Sequence, residues 1–168
     1  MDLSTNFDWY FVPVLNVDGY KYTFEKDRLW RKNIKPYERS RGVDLNRNFD
    51  SNWNGIGSSN VPASYDFSGS SAFSEPEAEA LAKFIEQNAE SSKIRTYIAL
   101  HSYSQLLMFP YGHTTEKVNN YEHLKIICEK AVASIASVHG KIYLSGSKYE
   151  TIYPSSGNNQ NYLKYYFI

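Results

Sequence analysis

Along the chain, apolar positions fall into short continuous runs and two longer stripes at helical spacing. The short runs are rich in β-branched, aromatic or aliphatic residues, which is typical of buried strands. They cover Trp9–Leu15, Tyr97–Leu100, Leu106–Pro110 and Tyr162–Ile168. A further tyrosine-rich segment, Lys141–Tyr153, predicts a strand followed by a loop.

The two stripes carry apolar residues every three or four positions, which predicts amphipathic helices. The first helix is expected to begin at the capping-box pair Ser74 and Glu77 and to fade near Asn88–Ser92. The second covers Tyr121–Val138, with Gly140 as the expected C-cap. Because strands and helices alternate along the chain, the pattern predicts an α/β domain.

Composition and charge are those of one globular domain. The 168 residues are 42% hydrophobic and 21% charged, which is enough for a single core. Eighteen basic and eighteen acidic residues cancel, so no field of one sign favours nucleic acid or an anionic membrane. No apolar run approaches the ~18 residues of a membrane span, and no signal peptide is visible. The single Cys128 excludes an intramolecular disulfide and a multi-cysteine zinc site.

Histidines are the first candidates for chemistry. His101 follows an apolar run, and in α/β sheets ligands bind where the strands end; a structural histidine is the other interpretation. A zinc site needs about three protein ligands, and His113 with Glu116 has the spacing of a two-ligand pair that could join His101. The alternative for that pair is an exposed loop, and His123 and His139 are expected at the surface.

A second candidate lies in the segment Gly42–Phe49, where Arg47 is flanked by Asn46 and Asn48. A guanidinium group offers a planar, bidentate fork to a carboxylate, and the neighbouring amides add neutral donors. The pattern indicates a carboxylate-binding loop, although arginine is also common in loops without such a role.

Six separated segments then point to a family. They are NVDGY at Asn16–Tyr20, RLWRKN at Arg28–Asn33, GVDLNRNF at Gly42–Phe49, SGSSAFSEPEAEAL at Ser68–Leu81, ALHSYSQLLMFPYG at Ala99–Gly112 and the loop Ile152–Gly157. In order and spacing they resemble the zinc metallocarboxypeptidases of the carboxypeptidase A/B type, over almost the whole chain. The resemblance implies a carboxypeptidase-like (phosphorylase/hydrolase-like) α/β single domain, with a mixed sheet flanked by helices, and zinc-dependent hydrolysis of C-terminal amino acids from peptides.

The resemblance implies catalytic roles for three residues. His101 matches a zinc ligand at a strand end, and it is the one family zinc ligand with a match in this chain. Arg31 matches the arginine that polarises the scissile carbonyl and stabilises the oxyanion, a role that suits a fixed cation. Tyr153 matches a mobile phenol that closes over the bound substrate.

The resemblance also implies substrate contacts. Asn46 and Arg47 match the pair that grips the free C-terminal carboxylate of the substrate, and Tyr103 matches an aromatic residue of the cleft. Gln160 or Asn159 is expected at the base of the side-chain pocket, with the choice between them open. The implied partners are peptide or protein C-termini, with no nucleic acid or membrane, and the implied state is a secreted monomer.

Two family elements have no match. The His-x-x-Glu motif that precedes the NVDGY segment is missing, and the general-base glutamate would lie just beyond Ile168. We therefore interpret 1–168 as a partial, truncated peptidase domain that is inactive as it stands. One alternative is a non-catalytic module that binds peptide C-terminal carboxylates. Another is a chain that does not fold alone, because its sheet edges stay unpaired.

Overall fold

Short helices and strands alternate along the fold, which we describe from a computed structural model covering residues 5–89 and 94–163. The helices are α1 (Val17–Glu25), α2 (Pro76–Ala89), α3 (Tyr121–His139), α4 (Lys148–Thr151) and α5 (Asn159–Leu163), with a 3₁₀ turn at Leu45–Arg47. The strands are β1 (Pro36–Tyr37), β2 (Ser40–Arg41), β3 (Leu106–Phe109) and β4 (Leu144–Ser147). The predicted α/β class is confirmed.

The described strands form two small sheets. β1 and β2 pair in antiparallel fashion, with Pro36 opposite Arg41. β3 and β4 pair in parallel, from Leu106 opposite Leu144 to Phe109 opposite Ser147. A parallel pair needs a long crossover, and α3 provides it. Within the described ranges, no helix is both long and apolar enough to cross a membrane.

The largest apolar cluster lies under α2. That helix turns its apolar stripe onto Phe49, which follows the 3₁₀ turn, and Phe73 and Tyr162 pack against the cluster as a ring pair 5.1 Å apart. The buried members are Phe49, Ala78, Leu81, Ala82 and Ile85. Because the cluster holds Phe49, it also fixes the place of the 3₁₀ turn just before it.

Asn48 adds a polar anchor at the same point. Its side chain is fully buried, and its Nδ2 donates to the carbonyls of Ser68 (2.8 Å) and Ser71 (3.0 Å) and to Ser74 Oγ (3.0 Å). Its Oδ1 accepts from the backbone N–H of Glu75 at 3.1 Å. One amide, whose two N–H groups are shared among three acceptors, therefore ties the end of the 3₁₀ turn to the start of α2.

The two long helices and the strand at Leu106 are confirmed. α3 ends at Gly140, whose φ of 68° is the left-handed conformation expected of a C-cap. The capping box is wrong: α2 begins at Pro76, and the Ser74 hydroxyl donates to Glu75 Oε1 at 2.8 Å. The strand predicted within Lys141–Tyr153 is present as β4, followed by α4.

Two predicted strands are wrong. Neither Trp9–Leu15 nor Tyr97–Leu100 forms a strand, and Phe11 and Leu100 are 79% and 91% exposed. A strand needs a hydrogen-bonded neighbour, and no segment within residues 5–89 and 94–163 pairs with either run. In the run Tyr162–Ile168, Tyr162 belongs to α5 and residues 164–168 lie outside the described residues.

Asp18 and Gly19 form a pair that is common in turns, but here both belong to α1, which begins directly after Asn16. The Asn16 side chain caps this helix by accepting from the N–H of Gly19 at 3.0 Å. Its Nδ2 also donates to the carbonyls of Arg31 (3.2 Å) and Lys32 (3.0 Å). The cap thus connects α1 to the segment that carries Arg31.

We expect Asn48→Ala to lower the free energy of unfolding by about 3 kcal/mol, because it leaves several buried polar groups without partners. Urea unfolding followed by circular dichroism measures the change. Asn60, which is exposed, is the matched control, and Asn60→Ala should shift stability by less than about 0.5 kcal/mol. Equal urea midpoints for Asn48→Ala and the wild type would contradict the anchor role. If the wild-type chain showed no cooperative unfolding transition, that result would favour the alternative that the chain does not fold alone.

Candidate functional site

A buried carboxylate organises the site. Asp44 is 2% exposed and stands immediately before the 3₁₀ turn, where its Oδ1 accepts from the N–H of Asn46 at 3.1 Å. Its Oδ2 accepts from Nε of Arg31 at 2.8 Å and lies 3.8 Å from Nη1 of Arg47. One carboxylate therefore holds two arginines that come from different segments of the chain.

Arg47 is buried, with 4% of its area exposed. Its Nε donates to the carbonyl of Gly57 at 2.7 Å, and its Nη1 donates to the carbonyl of Asn46 at 2.8 Å. Across the described ranges, no hydrogen bond uses its Nη2. The guanidinium plane is thus fixed by three partners, and one nitrogen is left to donate.

Asn46 is fixed in the same way. Its Oδ1 accepts from the N–H of Asn159 at 3.1 Å, and its carbonyl accepts from Nδ2 of Asn158 at 2.8 Å. Because the oxygen of the side-chain amide is occupied, Nδ2 is its remaining polar atom, and it has no partner in the part of the chain that the structure describes. Asn46 and Arg47 each keep one NH2 group for a ligand.

Arg31 is more open, with 26% of its side chain exposed. Burial by itself would lower the pKa of Arg31, but the Asp44 carboxylate and its hydrogen bond outweigh it, and the pKa is raised. Tyr65 and Tyr153 also raise it, and the Tyr65 ring centroid lies 5.6 Å from the guanidinium carbon. Arg31 is therefore a permanent cation with access to solvent.

His101 lies within electrostatic reach of the same cluster. Although the residue is exposed, desolvation by nearby protein atoms and the positive charges of Arg31 and Lys148 lower the pKa of its imidazole. Asp44 opposes this shift only in part. The neutral ring is favoured, which is the form that binds metals.

Lys148 is a third cation of the site. It opens α4, is 4% exposed, and donates from Nζ to Oδ1 of Asn158. No carboxylate of the described residues lies within ion-pair distance of its Nζ. Burial, followed by repulsion from Arg47, lowers the pKa of Lys148 to about 7.

The charges of the site do not balance. Arg31, Arg47 and Lys148 all couple electrostatically to Asp44, which is the one carboxylate among these groups. Three cations against one anion leave a local excess of positive charge, with unused donors on Arg47 and Asn46. Such a site suits the binding of a carboxylate.

The structure brings most of the predicted residues together. Arg31, Arg47 and His101 share one electrostatic cluster, and Tyr153, 48% exposed, lies near enough to Arg31 to raise the pKa of its guanidinium. Tyr103 is different: it is 93% exposed and makes no hydrogen bond within residues 5–89 and 94–163. It stays a predicted cleft residue.

The histidine–glutamate pair is not a metal site. His113 faces Asn161, with Nδ1 3.4 Å from Nδ2, and Glu116 is exposed. Among the described residues, no three His, Cys, Asp or Glu side chains form a group that could hold a metal ion. The combination of His101, His113 and Glu116 that the spacing allowed is therefore absent from the described residues, and the exposed loop is the better interpretation of Glu116. The described residues do not by themselves fit a zinc ion.

Two residues of the site escaped sequence reasoning. Asp44 was visible as an acid three positions before Arg47, a spacing that allows an ion pair. Lys148 carried no signal, because it stands in an ordinary polar and aromatic segment and only the fold buries it.

Comparison with known proteins gives consistent results. The family profile described as zinc carboxypeptidase matches residues 1–167. The chain is 48% identical over 158 residues to zinc carboxypeptidase A 1 of Anopheles gambiae, covering 94% of this chain and 36% of that protein. It is 42% identical over 164 residues to carboxypeptidase O of Bos taurus, covering 96% of this chain and 43% of that protein.

A solved structure shares the fold. Bovine thrombin-activatable fibrinolysis inhibitor, solved in complex with tick carboxypeptidase inhibitor, superposes with a TM-score of 0.86 at 39% identity. The match covers 90% of this chain and 52% of that one. The carboxypeptidase-like fold predicted from the sequence is confirmed, and the chain spans about half or less of the length of each of these three proteins.

We expect Asp44→Asn to lower the free energy of unfolding by about 3–5 kcal/mol, because it removes the counterion of two arginines and leaves Arg47 buried without one. Chemical denaturation at constant pH measures the loss. Asp50→Asn, at an exposed aspartate, is the matched control and should leave stability nearly unchanged. If Asp44→Asn were as stable as the wild type, the carboxylate would not hold the site together.

Stability should also depend on pH through Lys148. Its pKa is about 7 in the folded chain and 10.5 when unperturbed, so between these values the unfolded chain binds more protons and stability rises with pH. Each pKa unit corresponds to ~1.4 kcal/mol, and the total amounts to a few kcal/mol. Urea unfolding at pH 6 and pH 9 should show the rise in the wild type and a much smaller rise in Lys148→Met. Equal rises in both proteins would rule out this assignment.

Proposed function

The chain belongs to the zinc carboxypeptidase family, and we propose that it supplies the substrate-carboxylate site of an enzyme that hydrolyses C-terminal amino acids from peptides. We take residues 1–168 as part of a single peptidase domain. Because the chain spans 36% of the first relative and 43% of the second, the activity of the whole enzyme is part of the proposal.

The observation that carries the proposal is the pair of unused donors beside a surplus of positive charge. Arg47 and Asn46 are adjacent in sequence, both are held by backbone and amide partners, and each keeps one donor nitrogen. A C-terminal carboxylate has two acceptor oxygens in one plane and can accept from both groups. Selection of a free C-terminus follows, because an internal peptide group is neutral.

Arg31 is proposed to act on the peptide bond next to that terminus. It is charged, held at 2.8 Å by Asp44 and partly open to solvent. A cation that is already oriented stabilises the negative charge that develops on a carbonyl oxygen without further reorganisation. Tyr153, exposed and near Arg31, is proposed to close over the bound peptide, and Tyr103 is proposed to line the cleft.

Zinc is proposed as the cofactor of the whole enzyme, with His101 as the ligand that this chain contributes. The lowered pKa of His101 supports this role, since a metal binds the neutral imidazole. In zinc hydrolases the metal polarises carbonyl groups and activates water. The described residues do not complete a zinc site, so the proposed work of this chain is to bind and orient substrate.

A second function is a module that binds peptide C-termini without hydrolysing them. The observation in its favour is that the carboxylate site is assembled by residues of this chain, whereas the described residues hold no three-ligand metal group. Both functions predict peptide binding, and they differ in turnover with added zinc.

The proposed partners are peptide or protein C-termini. The solved bovine relative is bound to a protein carboxypeptidase inhibitor, which supports a protein partner for that enzyme. A monomeric state, an extracellular location and the absence of nucleic-acid or membrane binding stay predictions that rest on the resemblance and the composition.

The test compares a peptide with a free C-terminal carboxylate and the same peptide with a C-terminal amide. A charge-assisted hydrogen bond is worth ~1.5–3 kcal/mol, so the carboxylate form should bind about ten- to hundredfold more tightly. Isothermal titration calorimetry with a chelator present measures both affinities. Arg47→Lys should remove most of the difference, because a lysine ammonium group does not place a donor where the fixed guanidinium plane holds Nη2.

Arg28, which is exposed, provides the control, and Arg28→Lys should bind both peptides as the wild type does. Equal affinity of the wild type for the two peptides would refute a carboxylate site. Hydrolysis of the free peptide on addition of zinc would favour the enzyme over the binding module for this chain.

A further inference from the structure

The charge on Lys148 has no role in the proposed function so far. The residue is 4% exposed, and its Nζ makes one hydrogen bond, to the neutral Oδ1 of Asn158. An ammonium group has three donors, so two of them have no protein partner within the described ranges. No described carboxylate forms an ion pair with it.

A buried cation without a counterion is costly. Removing an ammonium group from water costs several kcal/mol unless an anion and further hydrogen bonds replace the solvent. Burial accordingly lowers the pKa of Lys148 to about 7, with Arg47 and Arg31 adding repulsion. No group of the described fold offsets the free-energy cost of burying the Lys148 ammonium group, whereas a bound anion would offset it.

The lysine lies beside the proposed carboxylate site. It couples electrostatically to Arg47, Arg31 and His101. Its hydrogen-bond partner Asn158 donates from Nδ2 to the carbonyl of Asn46 at 2.8 Å. The C-terminal carboxylate and the side chain of the last residue of a peptide share one Cα. A ligand that places its carboxylate on Arg47 and Asn46 therefore projects that side chain only a few bonds away.

Gly112 makes room for the lysine. A Cβ at this position would meet Cδ of Lys148 at 3.0 Å and the carbonyl of Ser155 at 3.0 Å. Ser155 Oγ in turn donates 3.0 Å to Asn158 Oδ1, so the single acceptor of Nζ is itself held in place. The stem and the head group of Lys148 are both positioned by the fold.

Neither candidate for the pocket base neutralises this charge. Asn159 is engaged through Nδ2 with Tyr97 Oη at 2.9 Å and through Oδ1 with the N–H of Gln160 at 2.7 Å. Gln160 is uncharged, and its Oε1 is buried without a partner in the described part of the chain. The start of α5, which contains both residues, thus adds polar groups and no negative charge.

We infer that Lys148 determines specificity by receiving the side-chain carboxylate of an acidic C-terminal residue, aspartate or glutamate. This inference rests on the proposed function. The charges agree: Arg31, Arg47 and Lys148 exceed Asp44 by two positive charges, and a peptide that ends in aspartate or glutamate brings two negative ones. The substrate class is therefore peptides with an acidic last residue.

The test uses two N-acetylated peptides that differ only in the last residue, glutamate or glutamine, and their C-terminal amides. Calorimetry at pH 6 with a chelator keeps Lys148 charged and the metal absent. The glutamate peptide should bind the wild type about tenfold more tightly than its glutamine isostere, because it adds a charge-assisted contact. Lys148→Met should reduce this ratio to about one.

Lys32 provides a matched control. It is buried as well, but its Nζ donates to the carbonyls of Pro62 (2.8 Å) and Ser64 (2.9 Å), so Lys32→Met should keep the tenfold ratio. If the role of Lys148 were only structural, Lys148→Met would instead lower the affinity for both peptides equally and keep the ratio of the two affinities. That result would overturn the inference.

If the wild type binds the glutamate and glutamine peptides equally, but binds both more tightly than their amides, the inference is overturned and the proposed function stands. Peptides that bind no better than their amides overturn the proposed function, and this inference falls with it. If Lys148→Met does not fold, Lys148→Gln takes its place, and a ratio that stays at about ten in that variant overturns the inference.

Discussion

The site depends on the ion pairing of one buried carboxylate. Asp44 accepts from Arg31 at 2.8 Å, lies 3.8 Å from Arg47 and accepts from the N–H of Asn46. Its own N–H donates to the carbonyl of Phe67 at 2.9 Å, which ties Asp44 to the segment that contains Phe67. Arginines without this counterion would turn toward solvent, because a buried charge needs a partner.

Amide side chains, rather than strand ends, hold this arrangement. Asn48 connects the 3₁₀ turn to α2, and Asn158 connects the same turn to the loop before α5. Asn33 donates to the Glu75 carboxylate at 2.7 Å and accepts from the N–H of Val43 at 2.8 Å. Each of these amides bonds to groups from at least two separate segments of the chain. Loop segments therefore acquire the rigidity that a binding site needs, since every buried polar group that these amides reach is satisfied.

Sequence patterns predicted what is local and missed what depends on distant contacts. The stripes of α2 and α3 and the apolar run of β3 are visible along the chain, and all three elements form. Trp9–Leu15 has the composition of a strand, but pairing is decided by a neighbour elsewhere in the chain. Arg47 was predicted from its chemistry and Arg31 from the resemblance, whereas the burial of Asp44 and Lys148 arises only when separate segments meet.

The same charge imbalance governs both stability and binding. Asp44 is the counterion of both Arg31 and Arg47, yet one carboxylate cannot neutralise two arginines and Lys148. The remaining repulsion destabilises the empty site, and an anionic ligand relieves it on binding. Part of the binding free energy thus comes from relief of the repulsion among the cations of the site. The folded chain already contains this repulsion, because the fold fixes the cations before a ligand binds. A second fixed anion among these groups would stabilise the fold and, for the same reason, weaken the attraction for a carboxylate substrate.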